Sequence, residues 1–451
     1  MQATHSGPES NITKNELVLR DNICICGRMN AGKSSLMNLI TGQETSIVDT
    51  TPGTTADVKM TVMQIHDFGP VKLFDTAGLD ETNVLGRKKQ DKSIVALKES
   101  DLVILVIDPV NTKKAGDVLV ERRVIDLAKE YKKQLLIVFN IHGASKELQA
   151  EAKTAIAGEL DIEVNHPSLA IDLSAANART VLLDFMKEHY EKRQREIDLL
   201  PFLGTNGFVA LNIPMDEETP SGRLLRPQHV VLEYVLRHFV PFAGYRMNLG
   251  HGRSPHEKLK EAERTNYLKF LDELKGDDVG LQLIITDSQA IDLVHPWTPE
   301  DIPLTTFSIV MANHQSNGQL AILAEGVRIL DTLNSDSRIL IAELCNHDRK
   351  AEDIGTKQLP NHFKRIFGEI RIDFAEGRVF PSDEELGSYD LVIQCGGCMV
   401  DQQKYSSRIN DCASLAVPVT NYGLALAWVQ SPEALERVLK PWTAVGIGDT
   451  I

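Results

Sequence analysis

The sequence predicts an α/β protein of three domains, and three observations carry that prediction. Short apolar runs alternate with helical stretches from Asn22 to about Arg195, the rhythm of a parallel sheet wrapped by helices. A second such series starts near Leu281. Between the first strand-like run and the first helical one stands Gly27-Arg28-Met29-Asn30-Ala31-Gly32-Lys33-Ser34, a G-x-x-x-x-G-K-S phosphate loop in the strand-to-helix setting that it requires. At about 150 residues per domain, 451 residues make roughly three.

In chain order, residues 1–20 read as a disordered leader, with neither the apolar core of a signal peptide nor an Arg-rich amphipathic pattern. Residues 21–197 form the first domain, with strands NICICG, VKLFDTAG, DLVILVIDP, QLLIVFN and LAIDLSA, followed by a charged helix around HYEKRQREIDLL. A smaller second domain, 198–279, opens with a different texture, in which a Pro/Gly-rich turn precedes the amphipathic helix RPQHVVLEYVLRHF. The third domain, 280–451, takes LQLIITDS, FSIVMAN, RILIAELCN, EIRIDF and YDLVIQCGG as strands. No internal repeat and no low-complexity tract is evident.

Composition narrows the function classes. Lys plus Arg number 48 against 63 Asp plus Glu, and a net charge of -15 works against a phosphate-neutralising surface for DNA or RNA. No stretch approaches a membrane span, so the expectation is a soluble cytoplasmic protein without nucleic-acid or membrane partners. Six cysteines are too few for a disulfide scaffold, and their clustering favours metal or redox chemistry.

The phosphate loop assigns roles to named residues. Backbone N–H groups from Gly27 through Ala31 and Gly32 converge on phosphates, Lys33 reaches the β- and γ-phosphates, and Ser34 ligates magnesium, with Ser35 beside it. Asp75-Thr76-Ala77-Gly78 ends the strand VKLF. Asp75 is expected in the magnesium shell, and the Gly78 N–H is expected to sense the γ-phosphate. Thr55, after Thr54 in Pro52-Gly53-Thr54-Thr55, is expected to join the metal when the switch closes. Lys33, Thr55, Asp75 and Gly78 are thus the candidate catalytic residues.

GRMNAGKSS, PGTTAD and DTAGL together resemble the tRNA-modification branch of the translation-factor-type GTPases. That resemblance implies a potassium ion at Asn30 and slow hydrolysis that potassium stimulates. It also implies catalysis by loop rearrangement, since Leu79 stands where other GTPases carry a water-positioning glutamine. One motif departs from the pattern: N-K-x-D after QLLIVF reads Asn140-Ile141-His142-Gly143, without the Asp that accepts from guanine. A lost partner of that kind costs about 1–3 kcal/mol of base discrimination. Asn140, Ser174 and Ala175 remain as base-binding elements, and GTP remains the expected nucleotide.

The other site is thiol-rich. Cys345 follows RILIAEL, with His347 two residues on, while Cys395 and Cys398 follow YDLVIQ as C-G-G-C. Both segments end strands, where open α/β sheets place their ligands. Three thiolates suit a 4Fe-4S cluster with an exchangeable fourth position; with His347 they equally suit tetrahedral zinc. Glu352 is a further possible fourth ligand. Cys24 and Cys26 read as core thiols of the first strand, and Cys412 as helix packing.

The whole chain after about residue 20 resembles the [FeFe]-hydrogenase maturation GTPases. To the first-domain motifs it adds PMDEETPSGRLLRPQ, ITDSQA, TPEDIPLTTFSIV, CNHDRKAEDIG, YDLVIQCGGCM and VPVTNYGLALA. The resemblance implies an N-terminal P-loop GTPase domain, a small dimerisation domain and a C-terminal flavodoxin-like domain that holds a 4Fe-4S cluster through Cys345, Cys395 and Cys398. It implies a homodimeric scaffold or carrier for a diiron subcluster precursor, working with [FeFe]-hydrogenase and radical-SAM maturases. Gln394 stands where the family often has His, so the fourth position falls to His347, Glu352, water or an exogenous ligand. A second reading, an RNA-modification-type GTPase with a structural zinc site, meets the acidic balance as an objection. No C-x-x-x-C-x-x-C occurs, which excludes a radical-SAM enzyme of the common type.

Overall fold

The computed structural model describes residues 20–42, 58–66, 68–80, 84–141, 146–161, 166–192, 197–214, 224–275, 280–344, 353–377, 380–397 and 400–444. They fall into two compact units divided at Arg193/Gln194.

The first unit is one six-stranded sheet in the order β2-β3-β1-β4-β5-β6. Its strands are β1 Asp21–Cys26, β2 Lys59–Ile65, β3 Gly69–Asp75, β4 Leu102–Ile107, β5 Gln134–Asn140 and β6 Ser168–Ile171. All pairings are parallel except β2 on β3. Successive side chains of β1 serve opposite faces, so Ile23 and Ile25 enter one core while Cys24 and Cys26 enter the other. The helix Lys33–Thr41 covers the isoleucine face with Leu36, Met37 and Ile40. Strand β2 was not expected: KMTVMQI is an edge strand whose buried and exposed residues interleave, a weaker signal than LVILVI, which is buried throughout. The charged helix expected around HYEKRQREIDLL is corrected over residues 190–192 and 197–200, which are not helical; residues 193–196 lie outside the described residues. The helix Ala178–His189 stops at Tyr190, whose ring stacks on Phe68 and whose hydroxyl donates to Asp21 Oδ1 at 3.0 Å.

The second unit holds two four-stranded parallel sheets. One comprises β7 Phe208–Asn212, β8 Phe242–Tyr245, β9 Leu281–Thr286 and β10 Leu304–Thr306, in the order β10-β9-β7-β8. The other comprises β11 Arg338–Glu343, β12 Arg371–Glu376, β13 Leu391–Gln394 and β14 Val419–Asn421, in the order β12-β11-β13-β14. Each sheet, numbered from its own first strand, runs 2-1-3-4, the order of the flavodoxin type without its fifth strand. The expected boundary at 279/280 therefore falls inside one sheet, because β9 pairs with β7. FSIVMAN is no strand but most of the helix Phe307–Gln315, capped by Thr306 Oγ1 accepting from Ile309 N at 3.2 Å. Every residue of that helix except Ser308 is buried, so its polarity shows no helical period.

The architecture thus repeats where the sequence showed no repeat. LTTFSIVMANHQ and VTNYGLALAWVQ each read strand, capping residue, nine-residue helix, with Thr306 and Asn421 as the caps. The matching residues Ser308 and Gly423 touch: a Cβ on Gly423 would lie 2.1 Å from Ser308 Oγ. Because both helices leave the C-terminal ends of their strands, this contact brings those two sheet edges together.

Candidate functional site

In the first unit the phosphate loop lies between β1 and the helix Lys33–Thr41. Gly32 has φ +103°, and a Cβ there would lie 2.5 Å from Asn140 Nδ2, so β5 packs directly on the loop. Asn140 Nδ2 donates to Ala31 O at 3.1 Å, and its buried Oδ1 has no partner among the described residues. Lys33 Nζ donates to Arg28 O at 2.7 Å and Gly27 O at 3.3 Å. Ser34 Oγ donates to Asp75 Oδ2 at 2.7 Å, which joins the two expected magnesium-shell residues across 41 positions. Asp75 Oδ1 is buried without a hydrogen-bond partner among the described residues, an acceptor free to face a cation or its water. Asn30 takes the left-handed conformation at φ +61°, which Asn tolerates. Ser35 is exposed in the first helical turn.

The segment expected to border the base is shaped by an Asx turn. Asp172 Oδ1 accepts from Ser174 N at 2.9 Å and Ser174 Oγ at 2.6 Å, and Asp172 O accepts from Ala175 N at 3.1 Å. Leu79 is packed in the core with Phe139, and Gln90 Nε2 donates to its carbonyl at 3.0 Å. His142, Gly143, Thr54 and Thr55 lie outside the described residues.

Sequence reasoning missed the anchor of this loop. Arg28 Nε donates to Glu121 Oε1 at 2.8 Å, and Arg28 Nη2 donates to Asp117 Oδ1 at 2.5 Å and to Asp117 O at 2.9 Å. Glu121 belongs to the helix Leu119–Glu130 and also accepts from Thr112 Oγ1 at 3.2 Å. Burial opposes the Arg28 charge, but the two carboxylates outweigh it and hold its pKa above the ordinary value. Nothing in the sequence couples positions 93 apart.

In the second unit the switch point between β11 and β13 is where a sheet of this order takes a ligand. Cys395 follows β13 there, buried, and its Sγ accepts from Leu344 N at 3.2 Å. Gly397 turns left-handed at φ +63°, and a Cβ there would lie 2.6 Å from Tyr405 Cδ2. The turn after Cys395 therefore needs glycine at 397, where the backbone passes against the Tyr405 ring. Cys345, His347, Glu352 and Cys398 lie outside the described residues. Among the described residues no group of three metal-capable side chains occurs.

Behind Cys395 lies a shell of buried neutral polar side chains. Gln394 is 1% exposed, and neither of its amide atoms has a hydrogen-bond partner among the described residues. Its strand neighbour across the sheet is Asn421, which lies beside the Tyr405 hydroxyl. Burial, then the nearby Cys395, pushes the Tyr405 phenol far up, so it stays protonated. The helix Phe307–Gln315 closes the shell: Gln315 Nε2 donates to Gly397 O at 3.3 Å, and His314 O accepts from Gln402 Nε2 at 2.7 Å. Cys412, in the helix Gln402–Ser414, is buried, and burial pushes its thiol up to about 12.

Three family models match the chain. Residues 22–141 match the 50S ribosome-binding GTPase model, 260–316 the hydrogen maturase F dimerization domain, and 321–441 the hydrogen maturase F tetramerization domain. The second match ends with the helix Phe307–Gln315, and the third takes in the whole sheet β11–β14. GTPase Der of Nitratiruptor sp. is 36% identical over 193 residues, covering 42% of this chain and 39% of that protein. tRNA modification GTPase MnmE of Desulforamulus reducens is 40% identical over 117 residues, covering 26% of this chain and 24% of that protein. The chain spans well under half the length of these curated relatives. Aquifex aeolicus Era bound to GDP.AlF4- is similar at 22% identity and a TM-score of 0.32, over 38% of this chain and 57% of that one.

Proposed function

Because the chain belongs to the hydrogen maturase F family, with a GTPase domain ahead of that family's dimerization and tetramerization domains, we propose that it is a GTP-hydrolysing scaffold. In this reading it carries a 4Fe-4S cluster, assembles as a homo-oligomer and delivers the diiron subcluster of [FeFe]-hydrogenase. The second domain then runs from 198 through the helix Phe307–Gln315, and the cluster domain follows.

At the nucleotide, Lys33 supplies positive charge to the β- and γ-phosphates, while Ser34 and Asp75 hold the magnesium shell together with Thr55. Bound magnesium supplies charge neutralisation at the phosphates. Gly78 reads the γ-phosphate, Asn30 binds potassium, and Asn140, Ser174 and Ala175 border the base. Leu79 is committed to the core, so the attacking water is oriented by backbone and loop movement.

At the cluster, Cys345, Cys395 and Cys398 are the ligands, with the fourth position taken by His347, Glu352, water or an exogenous donor. When bound, the cluster would supply an iron with an exchangeable fourth position. The observation that carries this reading is the hydrogen bond from Leu344 N to Cys395 Sγ, which sets the residue before Cys345 against the C-G-G-C turn. Among the described residues no helix is long and apolar enough to cross a membrane.

The test is separability. Lys33→Ala protein is expected to load its cluster yet fail to mature a co-expressed [FeFe]-hydrogenase; Cys395→Ala protein hydrolyses GTP and also fails. Maturation at the wild-type rate by Lys33→Ala protein would remove the nucleotide domain from the function.

A further inference from the structure

One carboxylate at the phosphate loop has no part in the roles assigned so far. Asp80 Oδ1 accepts the backbone N–H of Met29 at 2.9 Å, from the segment that follows β3. A Cβ on Gly78 would lie 2.6 Å from that oxygen and 2.8 Å from Met29 N, so Gly78, Asp80 and Met29 meet at one point. Loop N–H groups and that of Gly78 are the donors that a triphosphate engages through its terminal group. Asp80 thus sets a negatively charged acceptor where the outer phosphate oxygens would come.

Two side chains of the loop are also engaged from within the chain. Lys33 Nζ is held by Arg28 O and Gly27 O, and Ser34 Oγ by Asp75. The two carbonyls are neutral acceptors, and Asp75 is a carboxylate that the proposed function assigns to the magnesium shell. Among the described residues, Asp80 places an anion on a backbone donor of the loop. Leu79, buried beside it, and Gln90, bonded to the Leu79 carbonyl, fix the turn that aims the carboxylate.

We propose that Asp80 is a specificity-determining residue of the nucleotide site, holding the Met29 N–H and thereby disfavouring nucleoside triphosphate relative to diphosphate. This rests on the nucleotide reading given above. A γ-phosphate must displace the carboxylate or sit beside it, and like charges at a few ångströms repel. A diphosphate ends short of Gly78 and leaves the Asp80 contact intact. Triphosphate binding is therefore coupled to movement of the segment after β3.

The experiment measures affinities of a non-hydrolysable GTP analogue and of GDP, each with magnesium, for the full chain and three variants. Asp80→Asn keeps size and an acceptor oxygen but removes charge, and Asp80→Ala removes both. Each is expected to tighten the triphosphate analogue by about tenfold, the value of one hydrogen bond to a charged group, and to leave GDP unchanged. Asp80→Glu, which keeps the charge, stays like wild type. Equal tightening of both nucleotides, or no change in either, overturns the proposal. So do unchanged affinities with slower single-turnover hydrolysis, which make Asp80 a water-orienting group instead. If wild type and all variants bind neither nucleotide, the nucleotide reading itself falls and this proposal with it.

Discussion

Removing Glu121 tests whether the phosphate loop is held by its buried ion pair. The Arg28 side chain is 11% exposed and that of Glu121 1%, so Glu121→Ala strands a guanidinium that burial already disfavours. Asp117 remains as a partner, but its side chain is 44% exposed and well screened. Thr112 Oγ1 also loses its acceptor. Breaking a buried pair from one side costs about 3–5 kcal/mol; with Asp117 left in place the lower end applies, about 3 kcal/mol. At a urea dependence of about 2 kcal/mol per molar, the midpoint falls by about 1.5 M. The first unit contains no tryptophan, because Trp297, Trp428 and Trp442 all lie beyond it. Circular dichroism should therefore show the early transition while tryptophan fluorescence keeps its wild-type midpoint. The double variant Arg28→Met/Glu121→Leu, which removes both charges, should recover most of the loss. A Glu121→Ala cost below about 1 kcal/mol, the range of a surface pair, would refute the account of the loop's anchor.

Two further outcomes follow from the second unit. Burial, and secondarily Arg226, pushes His314 down to about 4, against about 6.5 in an unfolded chain. Between those values the unfolded state holds the extra proton, so stability falls as pH falls through that window; His314→Leu should flatten that slope in the tryptophan-reported transition, and an unaltered slope contradicts it. Among the described residues neither buried amide atom of Gln394 has a hydrogen-bond partner, so Gln394→Leu should stabilise the cluster-free protein by about 1 kcal/mol and raise its unfolding midpoint. A lowered midpoint would mean that the amide is paired in solution.

The sequence was most legible where one signal sufficed. Strands β1, β3, β4, β5 and β6 are contiguous apolar runs followed by loops or helices, and the spacing of the phosphate loop named Lys33 and Ser34. β2 was hidden because Lys59, Thr61 and Gln64 break up its apolar residues, so the edge strand shows no sustained apolar run. LQLIIT is recognisable as a strand, but nothing in six apolar-rich residues says which sheet it joins, and the domain boundary was set too early for that reason. FSIVMAN misled because burial on all sides erases the helical period. Arg28 with Glu121, and Asp80 with Met29, are couplings across 93 and 51 positions that only the folded chain reveals. In the thiol site, Cys395 and its neighbour Gln394 are placed; Cys345, His347, Glu352 and Cys398, like Thr54 and Thr55, lie outside the described residues.

The proposed function stands or falls with an iron–sulfur cluster on the C-terminal edge of the last sheet. Anaerobic reconstitution followed by metal analysis and electron paramagnetic resonance of the reduced protein tests it most directly. The account predicts about four iron atoms per chain and a cubane signal. That signal should vanish in Cys395→Ala, Cys345→Ala and Cys398→Ala and persist in Cys24→Ala and Cys26→Ala, whose thiols are core residues of β1. Stoichiometric zinc with no iron uptake, or a signal that survives Cys395→Ala, would contradict it.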